Sequence, residues 1–503
     1  LAAAAAFALI PLGVELEQLG HRGGTLTGGY GPVPFDVLQY LGWIRDASRH
    51  GLISNLFGIG PSHHVFLHPV FLVSGGLTAL GISPGLAYAA WLPFAAVALV
   101  AASAAYVRRL VPEGGRWRVT AVALAVLYVA PTVPVAEWLH VGKRLQAFVV
   151  AQDLGPVVRL WGYVPGALAL ALVPAFLLAL ERGLVPELRS AGRSARWYVG
   201  WASAAALLAA WLHPWQGELM LGLVAALVVW RRDVRDLPRL ALPVLATLLP
   251  LVYYYVLSKV DADWATARMD NAATSRPILA VLAALAPLLI VAARAVRRPR
   301  GDVQEFLLLA WPCMSLALFL TSATVPFHAL EGMTLPLAVL AVRAVRGRRL
   351  EARALVAVAA AVAAVTLAGV VALSVDLVRA MNATRAPVYL SHDESAALGE
   401  LARSPRPGGV FARLRLGAAI PAMTGRQTWV GQRSWTPHSH VRARRARALL
   451  DGRMATPKAR GILMRSGARF LLLDCRAHPR AGLLDGLVEQ VRRFGCVRLY
   501  LLR

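Results

Sequence analysis

Through residue 380 the chain alternates long apolar runs with short polar gaps, and beyond it the apolar runs shrink to strand length. Eleven long runs stand out, at 1–18, 84–110, 117–136, 161–181, 197–213, 216–231, 238–258, 277–296, 305–322, 325–345 and 352–378. Most come close to the ~20 residues that a helix needs to cross the hydrocarbon core of a bilayer, so the pattern predicts an α-helical polytopic membrane protein with about 11 transmembrane helices. The gaps fall into two sets. Those at 106–118, 181–196, 231–239, 294–300 and 343–353 hold 4, 4, 4, 4 and 5 Lys or Arg, while the alternating gaps around Lys143, His213, 259–276 and His328 hold 3, 0, 3 and 0. Basic loops stay in the cytoplasm. The first set is therefore expected inside and the second outside, with the carboxyl end outside as well. Glu15 and Glu17 stand where a cleavable leader would need small residues, so the first run reads as a span.

One further apolar run, Val65–Leu80, would reverse this parity if it crossed the membrane. It is expected instead as a helix on the outer interface, entered through His68-Pro69 and left through Gly81-Ile82-Ser83-Pro84. The result is one long outer loop, 14–83, and loops of that length are usually functional. Inside it, apolar residues at 37, 38, 41 and 44 have the spacing of an amphipathic helix ending before Gly51. Asp36 sits in its first turn, where the helix dipole favours a carboxylate whatever else that carboxylate does.

Beyond residue 380 the pattern predicts a separate α/β domain, 381–503, with a partly parallel sheet. Val410–Arg413, Thr428–Val430, Phe470–Asp474 and Val497–Leu502 read as strands, and Asp393–Arg403, His440–Leu450, Pro457–Arg465 and Ala481–Phe494 as helices. The turn-rich stretches Ile420–Arg426 and Gly431–Pro437 read as loops at the carboxyl edge of the sheet, where such domains place ligands. By parity this domain is extracytoplasmic, and residues 1–380 form the transmembrane bundle.

Composition sharpens the picture. With 57% hydrophobic and 16% charged residues the chain has more apolar surface than a soluble core could hide. The net charge of +26 invites a nucleic-acid reading, but the basic residues are almost all arginine and many lie in cytoplasmic loops beside anionic headgroups, so membrane lipids are the expected partner and nucleic acid is set aside. This arginine-rich, lysine-poor usage suggests a high-GC bacterium and its cytoplasmic (inner) membrane. Three cysteines cannot build a disulfide framework. Cys475 and Cys496 could pair only outside the reducing cytosol. His63, His64 and His68, even with Asp36 and Asp46 nearby, lack the ligand spread of a catalytic zinc site, and no residue set is assigned to a metal.

The string of a first-span exit, an acidic residue, an amphipathic helix (Asp36 to Gly51, with Tyr40 and Ile44), then Pro69 to Ser83, resembles the first outer loop of the GT-C superfamily of integral membrane glycosyltransferases, which includes protein mannosyltransferases, oligosaccharyltransferases and aminoarabinose transferases. The resemblance implies a GT-C-like fold and transfer of a sugar from a polyprenyl-phosphate donor to a cell-envelope glycan or lipid on the outer face. Such chemistry needs a carboxylate toward the acceptor and cations for the departing phosphate. The resemblance makes Asp36 the first carboxylate and Asp153 the second, although Asp153 also suits a helix cap. His140, Lys143, Arg144 and Arg159 become the phosphate contacts, with a headgroup-facing role open to Lys143-Arg144. Asp46, His68, His213, Glu218, His328 and Glu331 are further cavity candidates, since ionisable groups at membrane depth are functional by default.

Departures accompany the likeness. No Asp-x-Asp stands in the second outer loop, and Phe327–Gly332 lacks the arginine expected before the span starting near Met333. A divalent ion between Asp36 and Asp153 therefore stays an open expectation. The alternative reading is a non-catalytic scaffold or a transporter for a lipid-linked precursor. Against the transporter, the chain shows no matching halves.

Overall fold

The computed structural model describes residues 1–22, 24–112, 114–131, 154–273, 275–296, 302–346, 360, 361, 364, 366–372, 374, 375 and 387–503. Helices occupy most of the described part of the long apolar runs: Ala2–Arg22, Trp91–Leu110, Gly115–Leu127, Val164–Leu184, Ala195–Leu212, Pro214–Arg231, Leu237–Val260, Ile278–Ala293, Val303–Thr321 and Thr334–Arg346. The described residues between 360 and 375 are helical too. Six segments among the described residues are long and apolar enough to cross a membrane: Ala2–Gly20, Pro84–Leu110, Val164–Leu184, Val234–Val260, Val303–Thr321 and Pro326–Arg346. Pro69–Ala79 and Ile278–Ala293 are apolar but shorter.

The chain divides into two compact units. The first comprises Leu1–Leu9, Leu92–Tyr255 and Ala272–Leu377, and it is the helical bundle. Its central helix, Val164–Leu184, is buried nearly all round and packs along Ala195–Leu212. Thr334–Arg346 lies against both Gly115–Leu127 and Ile278–Ala293. Phe94, Trp201, Leu245, Leu279 and Ile290 point outward and stay exposed. Such an apolar exterior suits lipid, which makes burying these side chains against protein unnecessary.

The alternation of basic gaps has a three-dimensional counterpart in this unit. Arg109 meets Glu181 with two parallel hydrogen bonds, of 3.1 and 2.6 Å, and Asp302 with a third of 2.7 Å. Arg343 donates to the carbonyl of Leu110 and to Glu305. The arginine-rich ends of several helices thus converge on one end of the bundle. Burial pushes the Asp302 carboxyl up, but the Arg109 hydrogen bond and the backbone N–H of Glu305 outweigh it and hold the group below its ordinary value.

The second unit comprises Ile10–Trp91, Val256–Asn271 and Val378–Arg503. The expected division at residue 380 therefore runs differently in space, because the long first loop folds with the C-terminal residues. Strands β1 (Thr25–Leu26) and β2 (Tyr389–Leu390) pair antiparallel, and Thr27 donates its hydroxyl to the Val388 carbonyl. A four-stranded sheet follows from β3 (Gly409–Phe411), β4 (Ala468–Leu473), β5 (Val488–Phe494) and β6 (Val497–Leu502), in the order β3-β4-β6-β5. The β3–β4 pair is parallel and the others antiparallel. Successive residues of β4 serve opposite cores: Phe470 and Leu472 face helices His392–Arg403 and Leu414–Thr424, while Leu471 and Leu473 face Ser439–Leu450 and Thr456–Arg465. This is why β4 reads as an unbroken apolar run.

Three expectations in this unit change. Ile420–Arg426 is not mainly loop: Leu414–Thr424 is helical and Gly425 ends it with φ 74°. Ala481–Phe494 is not a helix, although its apolar spacing is helical. Gly482 and Gly486 adopt positive φ, and Val488–Phe494 pairs with β6 through the turn at Gly495. The ladder hydrogen bonds of an edge strand outweigh the local 3.6-residue period. Thr428–Val430 shrinks to a single parallel bridge from Thr428 to Val410. Cys475 and Cys496 form a disulfide with their Cα atoms 4.9 Å apart, which ties the second residue after β4 to the β5–β6 turn.

Candidate functional site

Two groups of candidate residues come together, one in each unit. In the bundle, Glu331 is the centre. It follows the 3-10 turn Pro326–Leu330 and is 1% exposed. Arg159, from the short helix Pro156–Leu160, donates to Glu331 Oε1 at 2.6 Å. His328 Nδ1 meets the same oxygen, and His213 Nε2 lies 3.7 Å from Oε2. His213 is wholly buried at the Leu212–Pro214 junction, where it ends one helix and Pro214 starts the next. Tyr163 lies beneath the Arg159 guanidinium at 4.9 Å and edge-on to His213. Trp215 packs on His328, and Gln216 donates to the His328 carbonyl.

This cluster gathers four of the expected residues, Arg159, His213, His328 and Glu331, from three separate connections of the bundle. Phe327–Gly332 has no arginine of its own, and Arg159, remote in sequence, brings a guanidinium to its Glu331. Buried charges persist only when paired and hydrogen-bonded, and here one carboxylate answers a guanidinium and two imidazoles. Glu218 is half-buried on Pro214–Arg231 and makes no ion pair among the described residues. Tyr163, Trp215 and Gln216 were not among the expected site residues, although Trp215 and Gln216 closely follow His213, which was.

In the second unit, Asp36 lies in the first turn of Pro34–His50, behind Pro34 at the helix start, as expected. Gln432 Nε2 donates to Asp36 Oδ1 at 2.8 Å. Gln432 belongs to the Gly431–Pro437 loop already marked as a ligand-edge loop. Its backbone is braced by the Thr436 hydroxyl, and Trp435 packs edge-on to Trp43 of the Asp36 helix. The helix is buried on more than its predicted face, because Gly42 abuts Pro421 and Tyr40 stacks on Phe71. Burial and the Arg49 charge lower the affinity of Arg45 for its proton, while it donates to the Ala422 carbonyl at 2.7 Å.

Asp46 and His68 make other contacts in the second unit. Asp46 accepts from the backbone N–H and hydroxyl of Ser54 and meets His50 and His64. His68 precedes the Pro69–Ala79 helix and stacks on Phe71 at 4.2 Å. On the arginine-rich helix Ser439–Leu450, Arg442 turns back onto Trp429 and Arg447 pairs with Asp451. His140, Lys143, Arg144 and Asp153 lie outside the described residues.

An apolar bundle, a long first loop built around a carboxylate-bearing helix, and a C-terminal sheet together make a polytopic α-helical membrane protein with a GT-C-like fold. The chain is similar to the solved structure of ArnT from Cupriavidus metallidurans bound to undecaprenyl phosphate, at 13% identity and TM-score 0.53 over 98% of this chain and 97% of that one. It is also similar to the Archaeoglobus fulgidus oligosaccharyltransferase in its apo form, at 13% identity and TM-score 0.56 over 94% of this chain and 69% of that one. A structure of the archaeal oligosaccharyltransferase AglB from Archaeoglobus fulgidus in complex with an inhibitory peptide and a dolichol-phosphate matches with TM-score 0.53 at 12% identity, again over 94% and 69%. At these identities the likeness concerns the fold. No family model matches the sequence, and no curated protein does.

Proposed function

We propose that this protein is a GT-C-type glycosyltransferase that moves a sugar from a polyprenyl-phosphate carrier to a cell-envelope glycan or lipid. The observation that carries the reading is the buried cluster of Arg159, Glu331, His213 and His328, assembled from three connections of a membrane bundle. A fixed guanidinium flanked by imidazoles is suited to a departing phosphate, whose charge develops as the glycosidic bond breaks. Two structures with this fold hold undecaprenyl phosphate and dolichol-phosphate, which supports a donor of the same class.

In this reading Asp36 takes the acceptor's proton, and Gln432 orients it by occupying Oδ1. Asp153 is the second carboxylate, and His140, Lys143 and Arg144 add to the phosphate contacts. A divalent ion joins the proposal if a chelator abolishes turnover and the added ion restores it. The basic alternate loops and the Cys475–Cys496 disulfide support an extracytoplasmic C-terminal unit in a bacterial cytoplasmic membrane.

The test is turnover in lipid nanodiscs with a panel of polyprenyl-phosphate sugars, reading released polyprenyl phosphate by mass spectrometry, with Asp36→Asn in parallel. Release that falls by about 10²-fold or more in Asp36→Asn is the expected result. Equal release from both proteins overturns the role of Asp36. No release from any donor, with lipid binding retained, returns the chain to the scaffold reading.

A further inference from the structure

The second unit carries a cluster that the transferase reading does not use. Asp46 and His50 stand one turn apart at the carboxyl end of Pro34–His50, on one face of that helix. His64 returns to them because the chain doubles back: Ile53 and Phe66 form an antiparallel bridge with hydrogen bonds of 3.0 and 3.1 Å. His50 Nδ1 lies 3.0 Å and His64 Nε2 3.3 Å from the same oxygen, Asp46 Oδ1. We propose that Asp46, His50 and His64 form a binding site for a divalent transition-metal ion of the zinc class, with at least one coordination position open to solvent.

Four observations support it. The first is spacing. Ligand atoms 2.0–2.1 Å from a tetrahedral zinc ion lie about 3.3 Å from one another, and the two imidazole nitrogens already stand near that distance from the carboxylate oxygen. All three ligand atoms lie within 4.8 Å of one another. The second is orientation: Ser54 holds Asp46 Oδ2 with its backbone N–H at 2.7 Å and its hydroxyl at 2.9 Å, which leaves Oδ1 to the site. Outer hydrogen bonds of this kind orient metal-bound carboxylates.

The third is access. The carboxylate is 5% exposed, while His50 and His64 are 47% and 37% exposed, so an ion can enter past the imidazoles and keep a water ligand. The fourth is the helix itself, whose carboxyl end presents the negative pole of its dipole to a cation. Two imidazoles and one carboxylate are a ligand set that suits zinc and its first-row neighbours better than magnesium or calcium. His63, one residue away, turns elsewhere and lies 3.7 Å from Asp261. The site is independent of the donor cluster and of the transferase reading.

The experiment uses the full chain in nanodiscs, stripped with a chelator and titrated with Zn²⁺ alone against a chromophoric competitor. His50→Ala, His64→Ala and, as a neighbouring control, His63→Ala are titrated alongside, and thermal unfolding of each metal-free protein checks that it is folded. The expected result is one zinc equivalent bound by wild type and His63→Ala, and weakened at least tenfold in both His50→Ala and His64→Ala. Cobalt substitution should add visible absorption bands of tetrahedral strength that the two variants lose. Unchanged stoichiometry and affinity in His50→Ala and His64→Ala would overturn the assignment, as would a loss confined to His63→Ala or magnesium binding as tight as zinc.

Discussion

Replacing Glu331 by glutamine keeps the side chain's shape and one acceptor oxygen but deletes the carboxylate charge that faces Arg159, His213 and His328 among the described residues. Glu331 is 1% exposed and Arg159 7% by side chain, so solvent screens the pair very little. Removing one partner of a buried ion pair costs about 3–5 kcal/mol, because the other charge is left without compensation. A guanidinium cannot discard its proton to relieve this, whereas a carboxyl group can neutralise itself by taking one. Glu331→Gln should therefore destabilise the bundle more than Arg159→Met does. For a unit of this size the Glu331→Gln loss corresponds to a fall in Tm of roughly 10 °C. The double variant, with both charges gone, should recover much of the loss, since groups in one hydrogen-bonded network are not additive. The assay is thermal unfolding in detergent followed by size-exclusion fluorescence. Single-variant shifts that add in the double variant would refute the claim that Glu331 and Arg159 compensate each other.

Three further expectations concern the second unit. Gln432→Ala removes the 2.8 Å hydrogen bond to Asp36 Oδ1 and should lower kcat roughly tenfold while leaving KM near wild type; an unchanged kcat would detach Gln432 from the chemistry. Cys475→Ser opens a loop of sequence separation 21, worth about 3 kcal/mol in loop entropy, so hydrogen-exchange protection in β4 and β6 should drop about a hundredfold, and undiminished protection would count against it. Gly417→Ala would drive a Cβ into the Val430 carbonyl, whereas Gly200→Ala enters open space. The first should therefore lose the folded C-terminal unit to proteolysis and the second should not; equal protease resistance would refute the steric account.

The order of apolar runs was sufficient to reveal a helical membrane protein and its helix positions, because lipid leaves a spanning segment few ways to satisfy its backbone. Asp36 at the start of an amphipathic helix and the strand–helix alternation after residue 380 were legible for a similar reason: each is a local periodicity. What local patterns misjudged was set by partners far away in sequence. Val488–Phe494 has the apolar spacing of a helix, yet β6 offers it a ladder of hydrogen bonds and the chain takes them. Arg159 and Glu331 are 172 residues apart and meet at 2.6 Å, which no spacing rule connects. Gln432 reaches Asp36 across 396 residues. The sequence by itself determined where helices form, since that depends on hydrophobicity read a few residues at a time. Only the tertiary structure decided which buried charges neutralise one another, because that pairing depends on distances of a few ångströms between elements remote along the chain.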